Sequence, residues 1–182
     1  FGNDPESGAV LVLKLANGKP EEIQRLEETL KAGGIRYRLL RERYPREELN
    51  ALIACCDVFL SMHRSEGYGL VMAEAMYLGT PAVATGWSSN TEFMPESCTG
   101  LVDYTFVPVG DRYPFADETS RWAEPDTDKA AEKLRILYEH PEERERMSRE
   151  AAEYIRREHS PEVCAGRIKK RFEEIRVTLG AK

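Results

Sequence analysis

The chain has 182 residues, 41% of them apolar, and a formal net charge of −6, which suits one globular domain with a sizeable core. Its charges alternate in sign and form no basic patch of the kind that binds nucleic acid. No apolar run is long enough to cross a bilayer, and no charged-then-apolar leader opens the sequence. These features disfavour a nucleic-acid partner and a membrane-spanning protein.

The cysteines give no sign of a metal site. The chain has four, Cys55, Cys56, Cys98 and Cys164, with no Cys-x-x-Cys spacing and no histidine nearby at zinc-ligand spacing. We interpret them as small apolar residues of a protein from a reducing compartment. No bound metal is expected.

Strand and helix patterns alternate over the first hundred residues. Short apolar runs between turn residues predict strands at residues 9–15 (fully buried), 35–40, 57–61, 81–85 and 100–104. Helical spacing predicts helices at 20–32, 45–53 and 69–78, and the polar residues 88–91 favour a helix cap. The predicted fold class is therefore α/β, a Rossmann-like parallel sheet flanked by helices.

The rest of the chain has a different pattern. Residues 105–124 combine prolines, glycines and aromatic residues without periodicity, which predicts a long functional or packing loop. Helices follow at residues 128–138, 142–158 and 161–175, with many Glu–Arg pairs that indicate solvated faces. We predict a Rossmann-like domain at residues 1–125 and a helical segment at 126–182 that packs on it.

Residues 65–81, Ser-Glu-Gly-Tyr-Gly-Leu-Val-Met-Ala-Glu-Ala-Met-Tyr-Leu-Gly-Thr-Pro, are the segment most informative about function. They begin just past the carboxyl end of the third predicted strand. In open parallel sheets, ligands bind at the edge that these carboxyl ends form. Gly67 and Gly69 let the backbone approach a ligand closely. The helix behind them directs N–H groups and the positive end of its dipole to the same place. An anion site is predicted, with phosphate as its usual ligand.

Glu74 is the single charged residue between Gly69 and Gly79. The helix around it is apolar on nearly every side, which predicts that it is buried all round. A buried carboxylate is costly unless something binds it, and helical side chains lean toward the N-terminus. Glu74 lies about 7 Å along the helix from its start. At that distance its carboxylate can accept hydrogen bonds from the hydroxyl groups of a ribose while the phosphates occupy the helix end. The alternative role of Glu74 is a structural hydrogen bond to neighbouring backbone. The alternative role of Glu66 is an electrostatic helix cap.

Glu66 and Glu74, seven residues apart within Glu-Gly-Tyr-Gly-Leu and Glu-Ala-Met-x-x-Gly-x-Pro, resemble the signature of the family 4 retaining glycosyltransferases, which have the two-domain GT-B fold. Further segments resemble the bacterial polysaccharide-assembly members of that family, at residues 61–65, 102–104, 107–110, 113–114 and 122–126. The resemblance implies the nucleotide-sugar-binding C-terminal domain, one half of a GT-B enzyme.

The resemblance also implies residue roles. Glu66 is the implied catalytic residue at the donor sugar, Glu74 holds the ribose, and the backbone of Gly67, Tyr68, Gly69 and Leu70 receives the diphosphate. The implied activity is transfer of a hexose, with retained configuration, from a nucleotide-diphosphate sugar to a glycan or lipid-linked acceptor, without metal or other cofactor. The implied location is cytoplasmic, peripheral at the inner face of the membrane.

Two residues before the motif have two open interpretations each. Arg64 either helps to bind the donor phosphate or pairs with a loop carboxylate. His63 either lines the pocket or is a satisfied polar residue.

The chain departs from the family in one respect. The loop with an arginine and a lysine for the diphosphate belongs to a first strand and helix that we do not find upstream of Ala9, and the N-terminal domain is missing too. Each lost charge-assisted hydrogen bond costs about 1.5–3 kcal/mol, so we expect weak donor binding and no transfer by this fragment alone.

Apolar surface near Phe172 and Ile175 is expected to be exposed or used in a dimer. A nucleotide-sugar epimerase-like enzyme and a non-catalytic module of the same fold are the alternative functions.

Overall fold

The computed structural model describes residues 5–15, 17–110 and 113–180. The chain divides into two compact units, Phe1–Glu48 and Leu49–Lys182. Both combine parallel strands with helices, so the predicted α/β class is confirmed. The predicted domain at residues 1–125 and helical segment at 126–182 stay predictions, and their outermost residues, Phe1 and Lys182, lie outside the described part.

The first unit is built on two parallel strands. After a 3₁₀ turn at Pro5–Ser7, β1 (Leu11–Lys14) pairs with β2 (Tyr37–Leu40). Helix α1 (Pro20–Ala32) joins them, with proline in its first turn and Ile23 and Leu30 buried. The expectation of a fully buried first strand is wrong, since β1 is half-buried throughout and has a single strand partner. Helix α2 (Arg46–Ala54) begins in this unit and ends in the second.

The second unit contains a three-stranded parallel sheet. Its strands are β3 (Phe59–Ser61), β4 (Ala82–Thr85) and β5 (Gly100–Val102), in the order β3-β4-β5. All of β4 is buried, as expected for a central strand covered on both faces. Gly100 lies opposite Val83, and a Cβ there would come within 2.8 Å of Val83 Cγ2. Close strand packing therefore requires glycine at this position.

Helix α3 (Leu70–Leu78) follows β3 and is bounded by two glycines with positive φ, Gly69 at 87° and Gly79 at 82°. Both predicted helix ends are confirmed. The expectation that α3 is buried all round is wrong. One face packs against β3, β4 and one helix later in the chain, while the other is exposed among the described residues. The buried face comprises Met72, Ala75 and Met76, and the exposed one Leu70, Val71 and Tyr77.

Residues 104–108 and 121–125 are the two strands of a β-hairpin, whereas an irregular loop was expected at 105–124. Strand β6 (Tyr104–Pro108) pairs antiparallel with β7 (Arg121–Pro125), and Phe106 lies opposite Ala123. The two strands are separated by 12 residues, so no short turn announces the pairing. Each strand ends in a proline, and neither sequence alternates strictly between apolar and polar residues, which is the pattern that marks a strand.

Three helices complete the second unit: α4 (Thr127–Glu139), α5 (Pro141–Glu158) and α6 (Pro161–Thr178). Asp126 caps α4 by accepting hydrogen bonds from two backbone N–H groups, and Ser160 caps α6 with one. Helix α5 packs against α3, and α6 buries none of its side chains. Phe172 and Ile175 are exposed there, as expected. Among the described residues no helix has the length and apolarity needed to cross a membrane.

Candidate functional site

The candidate site lies where β3 and β4 end and α3 begins. The loop of residues 62–69 connects β3 to α3, and residues 86–88 leave the adjoining end of β4. The first turn of α3 has a glycine as its N-cap residue, which offers no side-chain oxygen to its N–H groups. Leu70 and Val71 at that turn are exposed. The positive end of a helix dipole therefore opens to solvent at the carboxyl edge of the sheet.

The two motif glycines differ in what surrounds them. A Cβ on Gly69 would lie 2.4 Å from Cε of Met72 and 3.5 Å from Cβ of Asn90, and its φ of 87° disfavours other residues. Gly69 is thus required by the fold itself. A Cβ on Gly67 would meet no atom within 4 Å among the described residues. Packing does not explain Gly67, which leaves close approach of a ligand as its predicted role.

Glu66 lies in an exposed loop held by its own hydrogen bonds. Its backbone N–H donates to Oγ of Ser88 at 3.2 Å, and the N–H of Gly67 donates to its Oε1 at 3.2 Å. The carboxylate therefore sits beside its own loop backbone. A helix cap was predicted at residues 88–91, and Ser88 does occupy the N-cap position of a 3₁₀ helix at Ser89–Glu92. Its side chain, however, accepts from the Glu66 N–H and makes no capping hydrogen bond to that helix.

Glu74 lies on the second turn of α3 and is half-buried. The expected complete burial of this carboxylate is therefore not found, because the exposed face of α3 adjoins it. Tyr68 is 42% exposed, and its ring packs 4.9 Å from that of the buried Phe93. Partial burial raises the pKa of the Tyr68 hydroxyl above its ordinary value.

His63 connects the ends of β3 and β4. Its Nε2 lies 2.9 Å from the carbonyl oxygen of Trp87, and its Nδ1 lies 3.1 Å from Oγ of Ser61. Since a carbonyl can only accept, the neutral ring carries its proton on Nε2 and accepts the Ser61 hydroxyl at Nδ1. This contact pattern matches the interpretation of His63 as a satisfied polar residue, placed at the edge of the candidate site.

Arg64 pairs with a carboxylate from the hairpin. Its Nη2 lies 2.9 Å from Oε1 of Glu124 and its Nε 2.5 Å from Oε2, a two-point contact. The bond to Glu124 raises the pKa of the Arg64 guanidinium. Of the two interpretations of Arg64, this geometry favours pairing with a loop carboxylate, although the partner lies on β7.

Sequence patterns missed two groups at this edge. The first is a contact among the rings of Trp87, Tyr104 and Phe106. The second is a buried polar pair: Nδ2 of Asn90 donates to the carbonyl of Thr85 at 3.0 Å, while Oδ1 of Asn90 and Oγ1 of Thr85 have no hydrogen-bond partner among the described residues. The hairpin places Tyr104 and Phe106 beside Trp87, and no short-range pattern reveals that. In the described parts of the chain no group of acidic, histidine and cysteine side chains could hold a metal.

Comparison with known proteins finds a relative and a family that match this chain. Over 81 residues the chain is 36% identical to the D-inositol 3-phosphate glycosyltransferase of Xylanimonas cellulosilytica. The aligned part is 44% of this chain and 19% of that protein, so the chain spans much less than the relative's length. The family described as "Glycosyl transferases group 1" matches residues 8–124, which include the whole Glu66–Glu74 segment. The chain belongs to the group 1 glycosyl transferases.

Proposed function

We propose that this chain is the donor-binding domain of a retaining family 4 glycosyltransferase, which moves a hexose from a nucleotide-diphosphate sugar to a glycan or lipid-linked acceptor. The observation that carries the proposal is the position of Glu66, Gly67, Gly69 and Glu74 around the glycine-capped start of α3. No metal or other cofactor takes part, and an N-terminal domain supplies most of the acceptor contacts. The full-length enzyme is cytoplasmic and peripheral at the inner face of the membrane.

The proposed donor lies along the helix start. The backbone of Gly67, Tyr68, Gly69 and Leu70 receives the diphosphate. Glu74, one turn further on, accepts hydrogen bonds from the ribose hydroxyls. Glu66 contacts the donor sugar from the exposed loop, where its carboxylate is accessible. His63 lines the site, while Arg64 acts through its contact with Glu124 and has no role as a direct phosphate ligand.

The proposed chemistry needs stabilisation of a departing diphosphate. The bond between the anomeric carbon and the diphosphate oxygen breaks, and its electron pair leaves with the diphosphate. The acceptor hydroxyl oxygen forms the new bond on the same face of the sugar, and its proton passes to an oxygen of the departing diphosphate. The N–H groups and dipole of α3 stabilise the charge that develops on the leaving group. In the full-length enzyme the arginine and lysine expected in the preceding loop add to this stabilisation.

The acceptor class follows from the sequence resemblance, which favours glycans or lipid-linked precursors. The relative from Xylanimonas is named for D-inositol 3-phosphate, which makes a phosphorylated polyol the second candidate acceptor. An epimerase-like enzyme or a non-catalytic module remains the alternative to a transferase domain. Dependence of nucleotide binding on Glu74 separates the non-catalytic module from the other two.

The test is calorimetric titration of the chain with UDP, GDP and ADP, repeated with Glu74→Gln and with Glu96→Gln. Glu96 is an exposed carboxylate outside the motif and is the matched control. Loss of a charge-assisted hydrogen bond of about 1.5–3 kcal/mol weakens binding roughly 10- to 150-fold. We expect that loss for Glu74→Gln and unchanged affinity for Glu96→Gln. The titrations are carried out at the high nucleotide concentrations that weak binding requires. Binding that does not depend on Glu74, or no binding of any of the three nucleotides at those concentrations, contradicts the proposal.

A further inference from the structure

Three aromatic rings form a partly exposed group beside the candidate site. Trp87, Tyr104 and Phe106, here called the aromatic cluster, each contact the other two, with ring centroids 4.8–5.4 Å apart. Trp87 is 36% exposed and Phe106 is 53% exposed. Burial of aromatic side chains of this size gains much free energy, because a large apolar surface leaves water. A contiguous exposed group of them is therefore typical of a binding surface.

Two separate elements build the aromatic cluster. Trp87 follows β4, while Tyr104 and Phe106 are two residues apart on β6 and so share one face of the hairpin. The hairpin is fixed to the β3–α3 loop by the contact between Arg64 and Glu124 and by the N–H of Ala123, which donates to the Arg64 carbonyl at 3.2 Å. The cluster is therefore held in place relative to the site.

The aromatic cluster adjoins the Glu66 side of the site. The carbonyl of Trp87 contacts His63 at 2.9 Å, and the neighbouring Ser88 hydroxyl accepts the N–H of Glu66 at 3.2 Å. Under the proposed function the donor sugar lies at Glu66 and the ribose at Glu74. The cluster therefore continues the site from the sugar end, where the acceptor must meet the donor.

The chemistry of the surface fits a saccharide. A pyranose ring has a face of C–H groups, which carry partial positive charge and are attracted to the negative face of an aromatic ring. Trp87 and Phe106 meet at 87°, and in such a T-shaped pair the ring that presents its edge keeps both of its own faces clear of the other. Since Trp87 and Phe106 are also partly exposed, aromatic surface is open to a ligand close to the polar residues His63 and Glu66.

We propose that the aromatic cluster is a stacking subsite for a saccharide unit of the acceptor. This inference rests on the proposed function, because that function places the transferred sugar next to Glu66. A nucleobase could also stack on such rings, but the base lies beyond the ribose, on the Glu74 side of the donor. The acceptor saccharide is therefore the occupant favoured by the order of contacts along the site.

The two tryptophans of the chain allow a test with an internal control. The ¹⁵N-labelled chain gives one indole N–H signal from Trp87 and one from Trp122, which packs against Tyr113 on the hairpin. The variant Trp87→Phe assigns the signals. Maltose, cellobiose, mannobiose and rhamnose are titrated in turn, followed by uridine, guanosine and adenosine. We expect at least one saccharide to shift the Trp87 signal in a saturable manner and to leave that of Trp122 in place.

Variants then identify the surface. Phe106→Ala should weaken the binding of that saccharide about fivefold or more, since base stacking on an aromatic side chain provides a comparable scale. Phe115→Ala is the matched control, because Phe115 is a 98% exposed aromatic residue in the connection between the hairpin strands. It should leave the titration unchanged. Retained signal dispersion in each variant shows that a loss reflects the removed ring.

The outcomes separate this inference from the proposed function. Glu74-dependent binding of nucleoside diphosphates without any saccharide response at Trp87 overturns the subsite and leaves the donor domain standing. A shift of Trp87 by nucleosides alone makes the cluster a base platform and also overturns it. Saccharide binding that Phe106→Ala does not weaken has the same consequence. A saccharide response without nucleotide binding contradicts the donor assignment and reduces the aromatic cluster to a saccharide-binding surface with no acceptor role.

Discussion

Arg64 and Glu124 form a two-point ion pair that joins the β3–α3 loop to strand β7, with N–O distances of 2.9 and 2.5 Å. The backbone reinforces it, since the N–H of Ala123 donates to the carbonyl of Arg64. A guanidinium engaged in this way has fewer donors to offer a phosphate. We therefore expect that the main role of Arg64 is to hold the hairpin beside the candidate site.

The first prediction concerns this ion pair. Arg64→Ala and Glu124→Ala should destabilise the chain by similar small amounts, below about 1 kcal/mol, because both side chains are partly exposed. The double variant should be no worse than either single one. Chemical unfolding measures stability, and calorimetry with UDP, GDP and ADP measures binding.

Arg64→Ala and Glu124→Ala should also change the affinity for UDP, GDP and ADP in the same direction. If Arg64 contacts the donor phosphate directly, Arg64→Ala weakens binding while Glu124→Ala releases the guanidinium and strengthens it. Opposite changes of that kind would show that pairing with Glu124 is not the main role of Arg64.

The second prediction uses the contrast between the two motif glycines. Gly69→Ala adds a Cβ at 2.4 Å from Met72 Cε in a left-handed backbone conformation, and it should lower the free energy of unfolding by about 1–3 kcal/mol. Gly67→Ala meets open space and should leave stability nearly unchanged. Thermal unfolding of both variants measures the difference.

Nucleotide titration of Gly67→Ala then tests ligand approach. Because this variant stays folded, a loss of affinity indicates that a ligand comes close to the Gly67 backbone. Unchanged affinity for every nucleoside diphosphate that binds the parent chain would remove Gly67 from the proposed diphosphate site.

Local chemistry made part of this structure predictable. The helix ends at Gly69, Gly79 and Asp126 follow from backbone and capping preferences that act over a few residues. The parallel class follows from the alternation of strands and helices. These features depend on neighbours in the sequence, and their prediction needed no knowledge of tertiary contacts.

Contacts between distant residues explain the remaining differences. Arg64 and Glu124 are 60 positions apart, so the sequence could supply both interpretations of Arg64 but not the partner. The hairpin of β6 and β7 escaped prediction because its strands do not alternate strictly between apolar and polar residues and pair across a 12-residue connection. The exposed face of α3 escaped because an apolar composition shows that a helix can be buried, and only the surrounding chain determines which side is.

The third prediction concerns strain at Ser88. Its φ of 81° and ψ of −167° fall in a region that is essentially restricted to glycine and costs about 1–3 kcal/mol for other residues. Ser88→Gly relieves that strain and loses one hydrogen bond, from the N–H of Glu66, worth about 0.5–1.5 kcal/mol. We expect equal or higher thermal stability together with weaker saccharide or nucleotide-sugar binding, because the Glu66 loop loses its anchor.

Ser88→Ala is the matched control for that prediction. It removes the same hydrogen bond and keeps the strain, so it should be less stable than both Ser88→Gly and the parent chain. A Ser88→Gly variant that is less stable than Ser88→Ala would show that the backbone at this position is not strained.

The fourth prediction is a pH dependence in the connection between the hairpin strands. Asp117 accepts hydrogen bonds at Oδ1 from the hydroxyl and backbone N–H groups of Thr119 and Ser120, and these lower its pKa from 3.8 to about 2. A depressed pKa means that the carboxylate supports the turn above the ordinary pKa and that this support is lost as the pH falls through about 2. NMR titration of the Asp117 carboxyl carbon should give a midpoint near 2. Thr119→Val and Ser120→Ala should each raise the Asp117 midpoint, since each removes a hydroxyl donor. A midpoint at the ordinary value in the parent chain would show that the turn does not form these hydrogen bonds in solution.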